Sequence, residues 1–294
     1  MRVLVTGANG QVGTELVKQG KSQGLEMIAT DCAELDITQQ GDVSHFFQLQ
    51  KPDVVINAAA YTAVDQAELD SELAYAINRD GSANLAQACL KHRIPLFHIS
   101  TDYIFDGSKE DSYNETDTPN PQSVYGKSKL AGDRAIESIL KQHLTLRVSW
   151  VFGANGNNFV KTMLRLAKEQ DVLKVVSDQH GSPTAAGSIA KTLLNIVKRW
   201  EMGESTPWGT YHYSGQPATT WQGFAKTIFK QAKEIGLIEK SPVVEAITTA
   251  EYPTPAIRPL NTMFDCQNIE RELGISQPDW RTDLKNVLQT WKSA

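Results

Sequence analysis

Short apolar runs alternate with longer amphipathic stretches through the first 150 residues. Val3-Leu4-Val5-Thr6 is the apolar, β-branched run that a strand covered on both faces requires. It ends in Gly7-Ala8-Asn9-Gly10-Gln11-Val12-Gly13, and Glu15, Leu16, Val17 and Lys18 continue on a helical period. Residues 26–31 predict a second strand ending in Asp31, and 53–57 a third. Between them, residues 42–50 place Val43, Phe46, Phe47 and Leu49 on one helix side. A long helix is predicted over 71–92, with its register broken near Asn78-Arg79-Asp80-Gly81. Residues 95–100 form a fourth strand, 125–143 a helix and 144–150 a fifth strand. Strands alternating with helical crossovers, right-handed as such crossovers are, predict an α/β fold: a Rossmann-like, doubly wound parallel sheet.

Beyond Trp150 the regularity weakens. Helices are predicted near 157–166, 187–200, 221–236, 266–273 and 282–291, with strands at 172–176 and 211–213. The chain divides into a dinucleotide-binding domain over 1–150 and a smaller mixed substrate lobe over 151–294, with part of 177–215 rejoining the first. The polar, proline-containing stretch 108–122 reads as a loop able to cover the site.

Composition narrows the class. The chain is 294 residues long, 40% hydrophobic and 21% charged, which fits a globular protein. A net charge of −5 and no dense Lys/Arg run argue against nucleic acid as a partner. Cys32, Cys89 and Cys266 are too far apart for a thiolate metal site. Free thiols fit a reducing compartment, and no apolar stretch approaches about 18 residues, so a cytoplasmic protein without a membrane segment is expected.

The glycines at 7, 10 and 13 follow a strand and open a helix, which is the arrangement that lets backbone approach a pyrophosphate. Asp31, at the end of the second strand, suits the adenosine ribose hydroxyls and disfavours a 2′-phosphate, which leans toward NADH. Asp36 and Ile37 lie just beyond, where Ile37 either carries an adenine ring or belongs to the core. Small residues after the third strand, Ala58-Ala59-Ala60-Tyr61-Thr62, allow a flat cofactor against backbone. Asn78, polar on a packed helix, is read as a backbone hydrogen-bonding residue. Thr101 puts a hydroxyl at a strand's carboxyl end, facing the ligand crevice. Tyr125 and Lys129 are spaced i, i+4, so a helix sets phenol and ammonium on one face. The cation would lower the phenol pKa toward use as a proton donor. The same spacing also occurs on ordinary helix surfaces.

Gly7-x-x-Gly10-x-x-Gly13, Thr101 and Tyr125-x-x-x-Lys129 together resemble the extended short-chain dehydrogenase/reductase family. Residues 57–65, 100–107, 147–152, Gly156-Asn157-Asn158-Phe159 and Pro253-Thr254-Pro255 are similar to the dTDP-4-dehydrorhamnose reductase family within it. The resemblance implies a nucleotide-sugar substrate and the last step of dTDP-L-rhamnose synthesis: NADPH or NADH reduces the C4 ketone of dTDP-4-dehydro-6-deoxy-L-mannose. It implies that Tyr125 donates the proton, Lys129 tunes Tyr125 and holds the nicotinamide ribose, and Thr101 bonds the carbonyl oxygen. It assigns Gly10, Gln11 and Val12 to the pyrophosphate, Asp31, Asp36 and Ile37 to the adenosine, and Ala60, Tyr61 and Thr62 to the middle of the cofactor. Asp102 and Trp150 would meet the sugar nucleotide, with a core aromatic as the other reading of Trp150.

Two departures stand out. Arg258 alone remains where the family often has two adjacent arginines, so it is the one cation left to face a phosphate. Some members of the family pair as dimers through magnesium. Glu15 matches one ligand position, but Ser188 stands where a second acid would be, so no metal is expected and a homodimer is the assembly to test. Two alternatives remain: a different nucleotide-sugar reductase or epimerase on this scaffold, and a non-catalytic homologue such as a methionine adenosyltransferase regulatory subunit. Asp102 followed by Tyr103 rather than Glu argues against a dehydratase, and the joint presence of Thr101, Tyr125 and Lys129 favours an enzyme.

Overall fold

A computed structural model describes residues 1–293. The first half builds β1 (Arg2–Thr6), α1 (Gln11–Ser22), β2 (Glu26–Thr30), α2 (Gln40–Gln50) and β3 (Val54–Asn57). It continues with α3 (Ser71–Tyr75), α4 (Ser82–His92), β4 (Leu96–Thr101), α5 (Val124–Ile139) and β5 (His143–Val148). These five strands form a parallel sheet that a sixth, β10 (Gly209–Tyr213), joins later in the chain, in the order β10-β5-β4-β3-β1-β2. The chain reverses direction across the sheet between β1 and β3, which opens a crevice at the carboxyl ends of those strands.

Strand alternation sorts the core. Val3, Val5, Val54 and Ile56 pack on the face covered by α1 and by α7 (Ala186–Glu201), whereas Leu4 and Val55 pack against α2 and α4. The break expected near residues 78–81 is a π-helical turn over Ala76–Gly81 that joins α3 to α4. Asn78 is buried in it, accepts from Tyr61 N–H at 2.9 Å and donates to Tyr61 O at 3.1 Å. It thereby pins the segment after β3.

The second half begins with β6 (Val151–Phe152), α6 (Phe159–Leu166), β7 (Val172–Val176), β8 (His180–Gly181) and β9 (Thr184–Ala185). Then come α7 (Ala186–Glu201), β10 (Gly209–Tyr213), β11 (Thr219–Thr220), α8 (Trp221–Glu234), β12 (Val243–Ile247), α9 (Gln267–Leu273) and α10 (Trp280–Lys292). Helix α7 packs on α1, and β10 pairs with β5 at the edge of the main sheet. Helix α9 packs on β10, and the remaining elements form a lobe around Phe152, Phe224, Phe229 and Trp280, with β7 paired to β12 beneath α8. Among the described residues no helix is long and apolar enough to cross a membrane.

The stretch 108–122 does not lie over the crevice, as its composition suggests. Tyr113 N–H donates to Met263 O, Asp265 N–H donates to Tyr113 O, and the Asn261 amide binds the carbonyls of Lys109 and Asp111. Stacking of Tyr113 on Phe105, and Glu115 Oε1 accepting from His212 N–H at 2.8 Å, hold it against the main sheet.

Candidate active site

A cleft of about 790 Å³ runs between the carboxyl edge of the sheet and the lobe. At one end β1 turns into α1. Gly7 holds φ +67°, and a Cβ there would lie 2.6 Å from Ala59 N. Gly10 caps α1 without a side-chain acceptor, so the first amides of the helix are left for a ligand in the cleft. Gly13 does not line the cleft. Its Cβ would fall 2.1 Å from Gly7 O, so this glycine lets the helix close on the turn. Gln11 and Val12 do line the cleft, and Gln11 Oε1 accepts from Asn158 of the lobe at 3.1 Å.

Asp31, Asp36, Ile37, Ala60 and Thr62 border the same end. Asp31 Oδ2 accepts from Asn9 N–H at 3.1 Å, which ties the acid to the glycine turn. Ile37 is 5% exposed and packs in the α2–α4 core while also edging the cleft. Tyr61 turns away from the cleft: its hydroxyl donates to Asp70 at 2.9 Å.

Thr101, Asp102, Tyr125 and Lys129 gather in the middle of the cleft. Ser123 caps α5 by accepting from Gly126 N–H at 3.1 Å, which fixes Tyr125 in the first turn. Burial pushes the Tyr125 phenol up to about 12, and only its hydrogen bond with Thr101 opposes this. The sequence suggests instead that Lys129 lowers it. That lysine is buried and bends toward the sheet, donating to Ile99 O at 2.7 Å and lying 3.1 Å from His98 Nε2. A raised pKa keeps the phenol protonated through neutral pH, which is the form a proton donor needs. The Thr101 hydroxyl donates to Asp102 Oδ1 at 3.1 Å and accepts from Tyr103 N–H at 3.2 Å. It can therefore donate to a ketone only by leaving Asp102. Burial raises Asp102 to about 6, opposed by hydrogen bonds from Ser149, Thr262 and Thr101.

The lobe end of the cleft is aromatic. Trp150 adopts a left-handed φ of 45°, rare for a bulky residue and a form of strain concentrated at ligand sites. Its indole stacks on Trp221, with centroids 3.6 Å apart and planes 7° from parallel. Trp221 Nε1 donates to Gln179 at 3.1 Å, and a Cβ on Gly181 would strike Trp150 at 2.5 Å. Trp221, Phe159 and Phe224 line the cleft, yet the sequence presents Trp221 only as the residue after a Thr-Thr helix start. Its signal was a tryptophan at the first position of a capped amphipathic helix, where it projects from the lobe.

Arg258 does not border the cleft. It forms a two-point ion pair with Asp65, at 3.0 and 2.7 Å. Glu15 and Ser188 do not meet: Ser188 donates to Asp283 at 2.6 Å, while Glu15 accepts from Gln19 at 3.2 Å.

The profile of the RmlD substrate binding domain matches residues 1–293. A dTDP-4-dehydrorhamnose reductase of Aggregatibacter actinomycetemcomitans is 47% identical over 287 residues, spanning 97% of this chain and 98% of that protein. The crystal structure of a dTDP-4-dehydrorhamnose reductase from Clostridium acetobutylicum superposes with a TM-score of 0.92 at 39% identity, covering 99% of this chain and 100% of that one. The Bacillus anthracis dTDP-4-dehydrorhamnose reductase, solved in complex with NADP, gives 0.91 at 35% identity, covering 98% and 99%.

Proposed function

Because this chain belongs to the RmlD substrate-binding-domain family, which its full-length likeness to dTDP-4-dehydrorhamnose reductases makes plain, we propose that it reduces the C4 ketone of dTDP-4-dehydro-6-deoxy-L-mannose to dTDP-L-rhamnose with NADPH or NADH. One observation carries this: Thr101, Tyr125 and Lys129 border a single cleft with a glycine turn that a Cβ would fill.

The bound nicotinamide would supply the hydride to C4. Gly7, Gly10, Gln11 and Val12 would hold its pyrophosphate on backbone amides, and Asp31, Asp36 and Ile37 its adenosine end. Ala60 and Thr62 would border its middle, with Tyr61 kept behind them by Asn78. Lys129 would hold the nicotinamide ribose. As charge grows on the C4 oxygen, Tyr125 would give it the phenolic proton, and Thr101, released from Asp102, would donate a second hydrogen bond. The Trp150 platform and Asp102 would orient the sugar, and Arg258 would reach a phosphate by exchanging Asp65 for it. We further propose a cytoplasmic location and a homodimer, the latter testable by size-exclusion chromatography with light scattering.

Incubation with dTDP-4-dehydro-6-deoxy-L-mannose, formed in place by an epimerase, should consume NADPH or NADH absorbance and yield dTDP-L-rhamnose. No loss of signal with either cofactor would sink the assignment. Separate titrations with the two cofactors measure the preference that Asp31 bears on.

A further inference from the structure

The Tyr125–Lys129 stripe of α5 has a third member. Asp133 falls at i+8 from Tyr125, on the same helix face, and is 6% exposed. It faces β4 and β5, whose side chains on this face are polar: His98 and Ser100 from β4, Thr145 and Arg147 from β5, all buried. None of these strand groups belongs to the chemistry assigned above, and burying so many polar groups together is costly unless they are paired.

Hydrogen bonds fix the protonation pattern. Ala59 N–H and the Thr6 hydroxyl both donate to Asn57 Oδ1, at 3.1 and 2.8 Å. The other Asn57 amide atom is therefore the NH₂, and it meets His98 Nδ1 at 3.0 Å. Nδ1 must accept, so the neutral imidazole carries its proton on Nε2. Burial holds His98 down at about 4, with Lys129 contributing, which keeps it neutral at working pH. The Nε2–H faces two neighbours: Lys129 Nζ at 3.1 Å and Asp133 Oδ1 at 3.5 Å. An ammonium has no lone pair, so with Lys129 charged the N–H is left for the carboxylate. With Lys129 neutral, the amine can take it. Apart from that 3.5 Å approach of His98, Asp133 Oδ1 has no hydrogen-bond partner among the described residues, whereas Oδ2 accepts from Ser100 at 2.8 Å and lies 3.6 Å from Arg147 Nε.

We propose that Asp133, acting through His98, is a positioning residue of the reaction: its buried carboxylate keeps Lys129 charged and correctly directed from behind the cleft. This rests on the reductase assignment of the cleft. The titratable groups of this network are Lys129, Tyr125 and Asp133 on α5, His98 on β4 and Asp102 just after it, Arg147 and His143 on β5, and His212 on β10, 3.4 Å from Arg147. Burial lowers Lys129 to about 8, and Asp133 is the group that opposes the fall. Charged lysine exists below that value and is lost as pH rises through it. Without Asp133, the loss begins at lower pH.

The test is the pH profile of kcat/KM, and of NADPH affinity by fluorescence, for Asp133→Asn and for Asp133→Asn/Arg147→Gln. The double variant leaves no buried guanidinium without its partner. In both, the basic limb should move down by about one pH unit or more, as loss of an adjacent opposite charge implies. Activity at pH 6 should stay within several-fold of wild type. An unmoved limb, or an equal loss at every pH, overturns the proposal. So does a double variant that does not fold, which would make Asp133 structural. Cofactor affinity needs no turnover. A wild-type chain without reductase activity therefore counts against the function alone, while unchanged binding profiles count against this inference alone.

Discussion

The two ends of the cleft are built by different means. The end that meets the glycine turn is mostly backbone, drawn from the first 62 residues: Gly7, Gly10, the first amides of α1 and the small residues after β3. The aromatic end is mostly side chain, assembled from Trp150, Gln179, Gly181 and Trp221, which only the folded lobe brings together. A backbone site is specified by what must be absent, a Cβ. A side-chain site is specified by what must be present, and by the contacts that hold it. The first should fail through close approach and strain, the second through lost packing.

Tyr125 lies where the two ends meet, and its substitution should have the largest effect. Tyr125→Phe keeps the ring that packs edge-on against Tyr103 and removes only the hydroxyl. Turnover should fall roughly 10²–10⁴-fold, the usual range for a general acid, with NADPH affinity nearly unchanged. Full retention of rate would move the acid elsewhere.

Gly7→Ala tests the backbone end. The left-handed conformation costs an alanine about 1–2 kcal/mol, and the new methyl meets backbone at Ala59. Cofactor affinity should weaken by roughly 5- to 30-fold on that scale, while KM for the sugar nucleotide, measured at saturating cofactor, changes little. Equal losses at both ends would erase the distinction between them.

The same contrast explains what the sequence discloses. The parallel sheet is legible because strands covered on both faces must be apolar, and β1, β3, β4 and β5 are almost fully buried. The glycine turn is legible because its chemistry is local. Strand β12 is missed, since it belongs to a two-stranded sheet and none of its residues is buried, so it lacks the apolar or alternating pattern that marks a strand. The direction of Lys129 is hidden too. Its acceptor, Ile99 O, is 30 positions away, and nothing in the Tyr-x-x-x-Lys spacing says that the amine turns inward. Trp221 is 71 residues from its stacking partner, so no local pattern links them.

Trp221→Ala tests the side-chain end and should have the smallest effect of the three. It removes the ring that supports Trp150 and frees Gln179, but leaves Thr220 capping α8, so the helix should persist. An aromatic pair is worth about 0.5–1.5 kcal/mol beyond its buried area, so KM for the sugar nucleotide should rise by roughly 2- to 10-fold. NADPH affinity should hold, because Trp221 belongs to the lobe and contributes no group to the glycine turn. Trp221→Phe should recover part of the loss, since a smaller ring can still stack on Trp150. If alanine instead weakened cofactor binding and spared the sugar, the two ends would have to be exchanged. If it altered neither, Trp150 would be held by its own backbone and by Gly181 alone.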